Sequence, residues 1–157
     1  MPVKKDTVMK IDEMNKAIIK QLRDGRKSYS LIADELHVTE NTVRSRVNRL
    51  VEENVLEITG LVDPESLPGV QIVMMGVKLK TMDLGRKAEE FTRLKGVISA
   101  VVITGRYDLL VQVILNEEED YSLLDFFTKE LVKIAEIQDV ETFVVYQAYG
   151  LRVPYIL

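Results

Sequence analysis

The sequence predicts an α+β fold in two domains, and three observations support that prediction. Apolar residues recur at helical spacing in three short segments before residue 60. A segment that contains two prolines and a glycine follows, within residues 61–69. After it, strand-like and helix-like apolar patterns succeed one another as strand, helix, strand, twice over. We therefore predict domains at residues 1–60 and 70–157, with 61–69 as the hinge.

In the first domain, the spacing predicts three short helices. Residues 11–23 carry apolar side chains on one face, and Asp24-Gly25 ends this first helix. Ser28 can cap a second helix. His37-Val38 then makes a turn before Thr39, which is a good N-cap for a third helix. Two short helices, a tight turn and a further helix are the helix-turn-helix arrangement.

The third helix has an apolar seam and an opposite polar face. The seam consists of Val43, Val47 and Leu50. At roughly 100° per residue, the side chains opposite the seam are those of Asn41, Ser45 and Asn48. Such amides and hydroxyls can bond to base edges, and flanking arginines can hold phosphate or guanine. The residues predicted to contact DNA are Thr39, Asn41, Thr42, Arg44, Ser45, Arg46, Asn48 and Arg49.

Two alternatives remain open for this helix from its pattern alone. Arg46 lies nearer the apolar seam than the other arginines, so it could contact a phosphate or form an ion pair with the first helix. The whole segment could also be an ordinary solvated amphipathic helix with no ligand. The helices predicted before it, which complete a helix-turn-helix, favour the DNA-binding interpretation.

The charge distribution favours a specific contact with nucleic acid over a general electrostatic coat. The net charge is -4, which argues weakly against nonspecific binding. Residues 1–60 nevertheless hold 11 Lys and Arg against 10 Asp and Glu, whereas residues 61–157 hold 10 against 15. A locally basic surface on an acidic chain is typical of a sequence-specific DNA reader.

Composition also excludes several classes of chemistry and location. The chain has no cysteine, so disulfides, cysteine-based zinc sites and thiol catalysis are excluded. No apolar run approaches the roughly 20 residues that span a bilayer. The first residues lack the apolar segment of a signal peptide. We expect a cytoplasmic protein with no membrane partner.

In the second domain, the pattern predicts a ferredoxin-like βαββαβ fold. Residues 56–62 first suggest an extended strand that leaves the helical domain. The predicted elements are then a strand at 71–80, a helix at 84–95, strands at 97–104 and 109–115, a helix at 121–135 and a strand at 140–149. The helix faces that should cover the sheet are Leu84, Ala88, Phe91 and Leu94, and Leu124, Phe127, Leu131 and Ile134.

Both faces of the predicted sheet are substantially apolar. In the first long strand, Val73 and Met75 lie on one face, whereas Ile72 and Met74 lie on the other. Two helices can cover only one face, so an apolar second face implies a partner, most simply another copy of the chain. We predict a homo-oligomer whose contact surface includes Met74 and, in the last strand, Val144.

Six stretches, taken with their order and spacing, carry a family resemblance. They are Ile11-Asp12, Ile18 to Arg26, Thr42 to Leu50, Val55-Leu56, Val62-Asp63-Pro64 and Thr104 to Asp108. In these the chain resembles the Lrp/AsnC, or feast/famine, family of transcription regulators over nearly its whole length. The resemblance implies double-stranded DNA as a partner, dimers that assemble into octamers or similar rings, and an amino-acid effector bound between dimers.

Carried over by this resemblance, the candidate effector-binding residues are Thr104, Gly105, Arg106, Tyr107, Asp108, Thr142 and Val144. Gly105 allows a turn with positive φ, whose exposed N–H groups suit a carboxylate. Asp108 could accept hydrogen bonds from the ammonium group of an amino acid. The alternative is a plain β-hairpin turn in which Asp108 bonds its own backbone. Arg106 stands at a variable position of the motif, which leaves the effector's identity open.

An enzymatic function has little support from the residue types. His37 is the only histidine, and without cysteine it gives no nucleophile–base pair or metal site. The acidic run 117–120 is typical of a solvated helix start, not of a metal site. We predict a sequence-specific regulator, not an enzyme, with no cofactor or metal. The alternatives are an Lrp-like tetrapyrrole decarboxylase and a metabolite-sensing assembly module without DNA binding.

Overall fold

The computed structural model describes residues 11–157, which divide into two compact units. The N-terminal unit ends at Thr59, and the C-terminal unit begins at Gly60. No helix among residues 11–157 has the length and apolar character to cross a membrane.

Three helices form the N-terminal unit: α1 (Glu13–Gln21), α2 (Tyr29–Leu36) and α3 (Glu40–Glu52). Each begins at a side-chain cap, because Asp12, Ser28 and Thr39 each accept a hydrogen bond from the backbone N–H three residues later. His37, at φ 54°, ends α2 in the left-handed conformation. The caps and the turn predicted for the second and third helices are confirmed.

One apolar cluster holds the three helices together. Its fully buried members come from all of them: Ile18, Ile32, Ala33, Val43 and Val47. Val43, Val47 and Leu50, the predicted seam of α3, are all at most 1% exposed. The opposite side of α3 is therefore left for solvent or a ligand. The strand predicted at residues 56–62 is reduced to Leu61–Val62, which lies in the C-terminal unit.

The C-terminal unit is built on a four-stranded antiparallel sheet. Its strands are β2 (Val70–Leu79), β3 (Val97–Val102), β4 (Leu109–Asn116) and β5 (Ile137–Val144), in the spatial order β3-β4-β2-β5. Helix α4 (Leu84–Phe91) connects β2 to β3, and a helical segment that begins with α5 (Leu123–Asp125) connects β4 to β5. This order and these connections are those of the predicted ferredoxin-like fold.

The second connecting helix is irregular, which changes the face it buries. After α5 it continues as a π-helical turn, Phe126–Glu130, and a 3-10 turn, Leu131–Lys133. The wider turn shifts the helical phase, so that Phe126 is fully buried whereas Leu124 is 72% exposed. The prediction that Leu124 covers the sheet is therefore wrong, because it assumed an uninterrupted 3.6-residue period.

The segment expected to be a hinge has regular structure of its own. Strand β1 (Leu61–Val62) pairs with β6 (Val153–Pro154) near the chain's end, and a 3-10 turn follows at Pro64–Ser66. Val62 and Val153 also pack in an apolar cluster with Ile72 and Ile114. Residues 61–69 therefore belong to the C-terminal unit, because β1 pairs with β6 and Val62 packs in the apolar cluster of this unit.

Register separates the two faces of the sheet. The helices cover the face that carries Val73 and Met75, while Met74 pairs directly with Phe143 on the other. We call this second face, with Met74, Gly76, Gln112, Glu141 and Phe143, the open face. Val144 pairs with Val73 and so lies on the helix side. Its predicted place beside Met74 is wrong, because the register of β5 presents Phe143 there instead.

Candidate DNA-binding surface and effector site

The outer face of α3 presents polar side chains that no other group engages. Asn41, Ser45 and Asn48 are all exposed, and their side chains form no hydrogen bond with any described residue. They line a shallow concavity of about 600 Å³ together with Arg44 and Arg49. The helix that carries them is fixed by its buried seam, so these groups are available at defined positions. This arrangement suits hydrogen bonding to base edges in a groove of DNA.

The two arginines beside this face are held along the helix. Arg44 pairs with Glu40 at 2.5 Å, and Arg49 pairs with Glu53 at 2.7 Å, each four residues away. All four side chains are at least one third exposed, so such pairs contribute little to stability and exchange readily. Thr39 caps the helix and is also within 2.9 Å of the Thr42 hydroxyl.

Arg46 has the structural role that the sequence left open. Its guanidinium donates to Asp12 at 2.7 Å and to the Asn15 side chain at 2.8 Å, and Asn15 is only 2% exposed. The hydrogen bond from Arg46 is the main reason that the pKa of Asp12 is lowered. Asp12 also caps α1, so one carboxylate links the start of α1 to the middle of α3. Arg46 therefore fixes α3 against the start of α1.

We call the exposed surface of α3 that carries Asn41, Ser45 and Asn48 the reading face. Tyr29 lies next to it, and the sequence pattern did not single this residue out. Its ring centroid lies 5.4 Å from the Arg44 guanidinium carbon, in a cation–π contact. Tyr29 and Asn48 also line the same cleft, which continues along residues 51–58. The first residue of α2 is thus adjacent to the α3 face. Helical spacing within α3 could not show this, because the contact joins two different helices.

The turn between β3 and β4 exposes successive backbone donors. Gly105 has φ 123°, a conformation that favours glycine, and a side chain there would meet no atom within 4 Å. The N–H groups of residues 104–107 donate to no acceptor among residues 11–157. Thr104 and Arg106 are exposed on the same turn. A row of unpaired N–H groups can hold a carboxylate.

Asp108, the expected partner of an ammonium group, is already engaged within the chain. One carboxylate oxygen accepts from Lys78 Nζ and the other from the Leu79 N–H, each at 2.8 Å. The bond from Lys78, followed by that from Leu79, lowers the pKa of Asp108. Its backbone N–H also donates to the Val77 carbonyl at 2.9 Å. Asp108 therefore anchors the turn to β2, and a ligand would have to displace Lys78.

Two residues outside the predicted set shape this turn. Glu141, on the open face, accepts from the Tyr107 hydroxyl and pairs with Arg106 at 3.1 Å. The Tyr107 ring covers Gly76, where an added Cβ would lie 2.6 Å from the ring. A glycine within a strand is a signal of such a close approach, whereas Glu141 could be found only through the pairing of β5 with β2.

Thr142 and Val144 are not brought to this turn within one protomer. Thr142 pairs with Met75 and Val144 with Val73, so both lie on the helix side of the sheet. Tyr107 packs over Gly76, on the open face. The sequence therefore grouped Thr142 and Val144 with a turn that packs on the opposite face of the sheet.

No metal site is found among residues 11–157, where no three His, Asp or Glu side chains are arranged to hold an ion. Glu117, Glu118 and Glu119 form an exposed 3-10 turn capped by Asn116.

Comparisons with known proteins agree with this organisation. Residues 11–51 match the AsnC-type helix-turn-helix domain, and residues 72–153 match the Lrp/AsnC ligand binding domain. An uncharacterized HTH-type transcriptional regulator of Pyrococcus horikoshii is 32% identical to this chain over 85% of each sequence.

Two solved structures show the same fold. The crystal structure of PH0061 superposes with a TM-score of 0.76 at 21% identity, covering 93% of this chain and 99% of that one. The transcriptional regulator NMB0573 of Neisseria meningitidis, in complex with L-Met, gives 0.65 at 18% identity, with coverage of 94% and 96%. With both domain models and a close-length relative matched, the chain belongs to the Lrp/AsnC family of HTH-type transcriptional regulators.

Proposed function

We propose that this regulator places α3 in the major groove of DNA and reads base edges with Asn41, Ser45 and Asn48. The observation that carries the proposal is that these three polar side chains are exposed and unengaged by any described residue, on a helix held by a buried seam. An asparagine amide can bond to both edge groups of adenine, and a serine hydroxyl can bond to several bases. No rearrangement of the helix is needed to present them.

The flanking residues take supporting roles in this proposal. Thr39 and Thr42, at the start of α3, lie where backbone N–H groups and the helix dipole favour a phosphate. Arg44 and Arg49 can exchange their exposed glutamate partners for phosphate or guanine. Arg46 stays bonded to Asp12 and Asn15 and keeps α3 in position.

The DNA-binding proposal is tested by selecting bound sequences from a random pool of duplexes with the full-length protein. A two-fold oligomer should enrich a palindrome whose half-sites are spaced by about one helical turn or a multiple of it. Selection that enriches no sequence would contradict base reading by α3.

We also propose that the chain is a homo-oligomer in which open faces meet, giving dimers that assemble further into octamers or similar rings. Phe143 is 45% exposed on the open face, next to Met74, although it is a large apolar residue. Charging it should leave a buried carboxylate unpaired at such an interface.

The chain offers a matched control for this interface. Val144 is the next residue of the same strand and is 48% exposed, but it lies on the opposite face. Light scattering should give a smaller species for Phe143→Glu than for Val144→Glu. Equal masses for the two variants and the wild type would contradict an interface on the open face.

The effector proposed for the turn at residues 104–108 is an amino acid. The unpaired N–H groups of the turn can take its carboxylate, with Arg106 nearby. We assign the ammonium group to Glu141, whose carboxylate is 36% exposed and would exchange its bonds from Tyr107 and Arg106 for bonds from the ligand. Thr142 and Val144 lie on the other face of the sheet and take no part in this proposal. A related regulator has been crystallised with L-Met, which supports this ligand class.

Calorimetry against the twenty amino acids tests the effector. Glu141→Gln should weaken or abolish binding, whereas the control Asp139→Asn removes a charge from the same strand at a side chain that bonds to no residue of the turn. If no amino acid binds the wild type, the C-terminal unit is an assembly platform only. The proposal includes no enzymatic step and no cofactor, and it places the protein with its DNA in the cytoplasm.

A further inference from the structure

The cations of the N-terminal unit fall into two groups that differ in their partners. Every arginine of α3 pairs with a carboxylate, at distances between 2.5 and 2.7 Å. At the end of α1 and in the turn after it, three exposed cations pair with no carboxylate among residues 11–157. These are Lys20, Arg23 and Arg26, which we call the basic turn. The neighbouring Lys27 is half-buried and pairs with Glu35 at 2.6 Å.

The segments that carry the two groups of cations also differ in net charge. Residues 20–27 hold four cations and one carboxylate, a net charge of +3, whereas residues 40–53 hold three arginines and three glutamates and are neutral. Binding to the DNA backbone is driven by cations that neutralise phosphates and release counterions. A reading helix without net charge supplies little of that attraction, so the unit needs another surface for it.

The basic turn joins the end of α1 to the start of α2. Its three cations line a concavity of about 580 Å³, and Asp24 of the same turn and Leu31 of α2 also line it. Tyr29, at the start of the same helix, contacts Arg44 and shares a cleft with Asn48. In three-helix DNA-binding folds, the connection between the first two helices can contact the backbone while the last helix reads the groove. The basic turn has this position and the required charge.

We propose that Lys20, Arg23 and Arg26 bind the backbone phosphates that flank the base pairs read by α3. The inference rests on the proposed DNA binding and assigns its two components, affinity and sequence preference, to different surfaces. The basic turn supplies attraction that does not depend on sequence, and the polar face of α3 supplies sequence preference. Loss of the basic turn should weaken binding to every duplex by a similar factor.

The test measures how binding of the full-length chain to a random-sequence duplex depends on salt. The variant Lys20→Gln/Arg23→Gln/Arg26→Gln is compared with the wild type by fluorescence anisotropy. Each lost phosphate contact should reduce the slope of log K against log salt by about 0.9, and three should reduce it by roughly 2.7. The single variant Arg23→Gln, with a reduction of about 0.9, serves if the triple variant melts at a lower temperature.

A matched control removes the same charge elsewhere. Lys16→Gln/Lys129→Gln/Lys133→Gln also lowers the net charge by three, but takes lysines that pair with carboxylates outside the basic turn. Its slope should equal that of the wild type. If the wild type binds DNA and the basic-turn variants keep its slope, or change it no more than the control does, the inference is overturned while DNA binding stands. If the wild type binds no duplex, both fail together.

Discussion

The reading face of α3 and the turn at residues 104–108 are both candidate sites, but they differ in how their polar side chains are used before a ligand arrives. Asn41, Ser45 and Asn48 bond to no described residue. On the turn, by contrast, Tyr107 and Asp108 already bond to neighbours in the sheet. A ligand adds interactions at the first site, whereas at the second it must exchange them.

Because of this difference, mutations at the two sites should have different effects on the stability of the unliganded chain. A free side chain contributes to binding and little to folding, because its loss leaves no internal group unsatisfied. An engaged side chain contributes to both, because its loss also removes an internal bond. Stability measurements on the unliganded chain therefore separate the two kinds of site, and the following variants are ordered by the expected size of that effect.

The largest effect should come from Gly76→Ala, which breaks the packing of the turn on β2. The added Cβ would lie 2.6 to 2.7 Å from the Tyr107 ring, so the ring must move. Such overpacking costs about 1–3 kcal/mol. Gly85→Ala is the control, because no atom lies within 4 Å of its added Cβ and it sits within α4, where alanine should stabilise slightly. Chemical denaturation that shows equal stability for the two variants would contradict this packing.

A smaller effect is expected for Arg46→Met, which tests whether Arg46 positions α3. Removal of the guanidinium leaves the buried Asn15 side chain without its donor and should cost about 1 kcal/mol. Arg44→Met on the same helix should change stability by less than about 0.5 kcal/mol, since its pair is exposed. Equal unfolding free energies for both variants would contradict a role of Arg46 in positioning α3.

The effect of Asp108→Asn should depend on pH. Because the folded chain lowers the pKa of Asp108, ionisation of this carboxylate stabilises the fold at pH values above its unfolded pKa, near 3.9. The wild type should exceed the variant in unfolding free energy at neutral pH. The difference should shrink as pH falls below about 4, because Asp108 protonates as its folded pKa is passed. A difference that does not change between neutral and acidic pH would contradict the bond to Lys78.

The smallest effect on stability is expected for Ser45→Ala, which removes one free hydroxyl. The unfolding free energy should change by less than about 0.5 kcal/mol, because the side chain is exposed and has no partner in the described chain. A thermal shift as large as that of Arg46→Met would show that the reading face carries internal interactions after all.

The same comparison explains how much could be predicted from the sequence. The buried seam of α3 and its polar face follow from helical period alone, and Ser28 and Thr39 act as the predicted caps. The spacing of the apolar residues also predicts the two βαβ halves of the C-terminal unit. The prediction for Leu124 is wrong, because a π-helical turn rotates the following residues relative to Leu124 and the apolar pattern carries no signal of that turn.

Which side chains meet across the sheet was harder to predict from the sequence than which side chains are exposed on a helix. That Lys78 would hold Asp108 depends on a contact between residues that lie 30 positions apart in the chain. The choice of Phe143 over Val144 for the open face depends on the register between β2 and β5, which are further apart still. A one-residue change in register moves every side chain to the other face, so alternation along one strand cannot decide it. Glu141 became a candidate only once its pairing with Gly76 was known.

The most direct test of the central claim, base reading by the free face of α3, is the ratio of affinities for a selected duplex and a scrambled one. In Asn48→Ala this ratio should fall by about 5- to 150-fold, which corresponds to roughly 1–3 kcal/mol for one base contact. Affinity for the scrambled duplex and the melting temperature should stay close to those of the wild type. An unchanged ratio in Asn41→Ala, Ser45→Ala and Asn48→Ala alike would contradict the account.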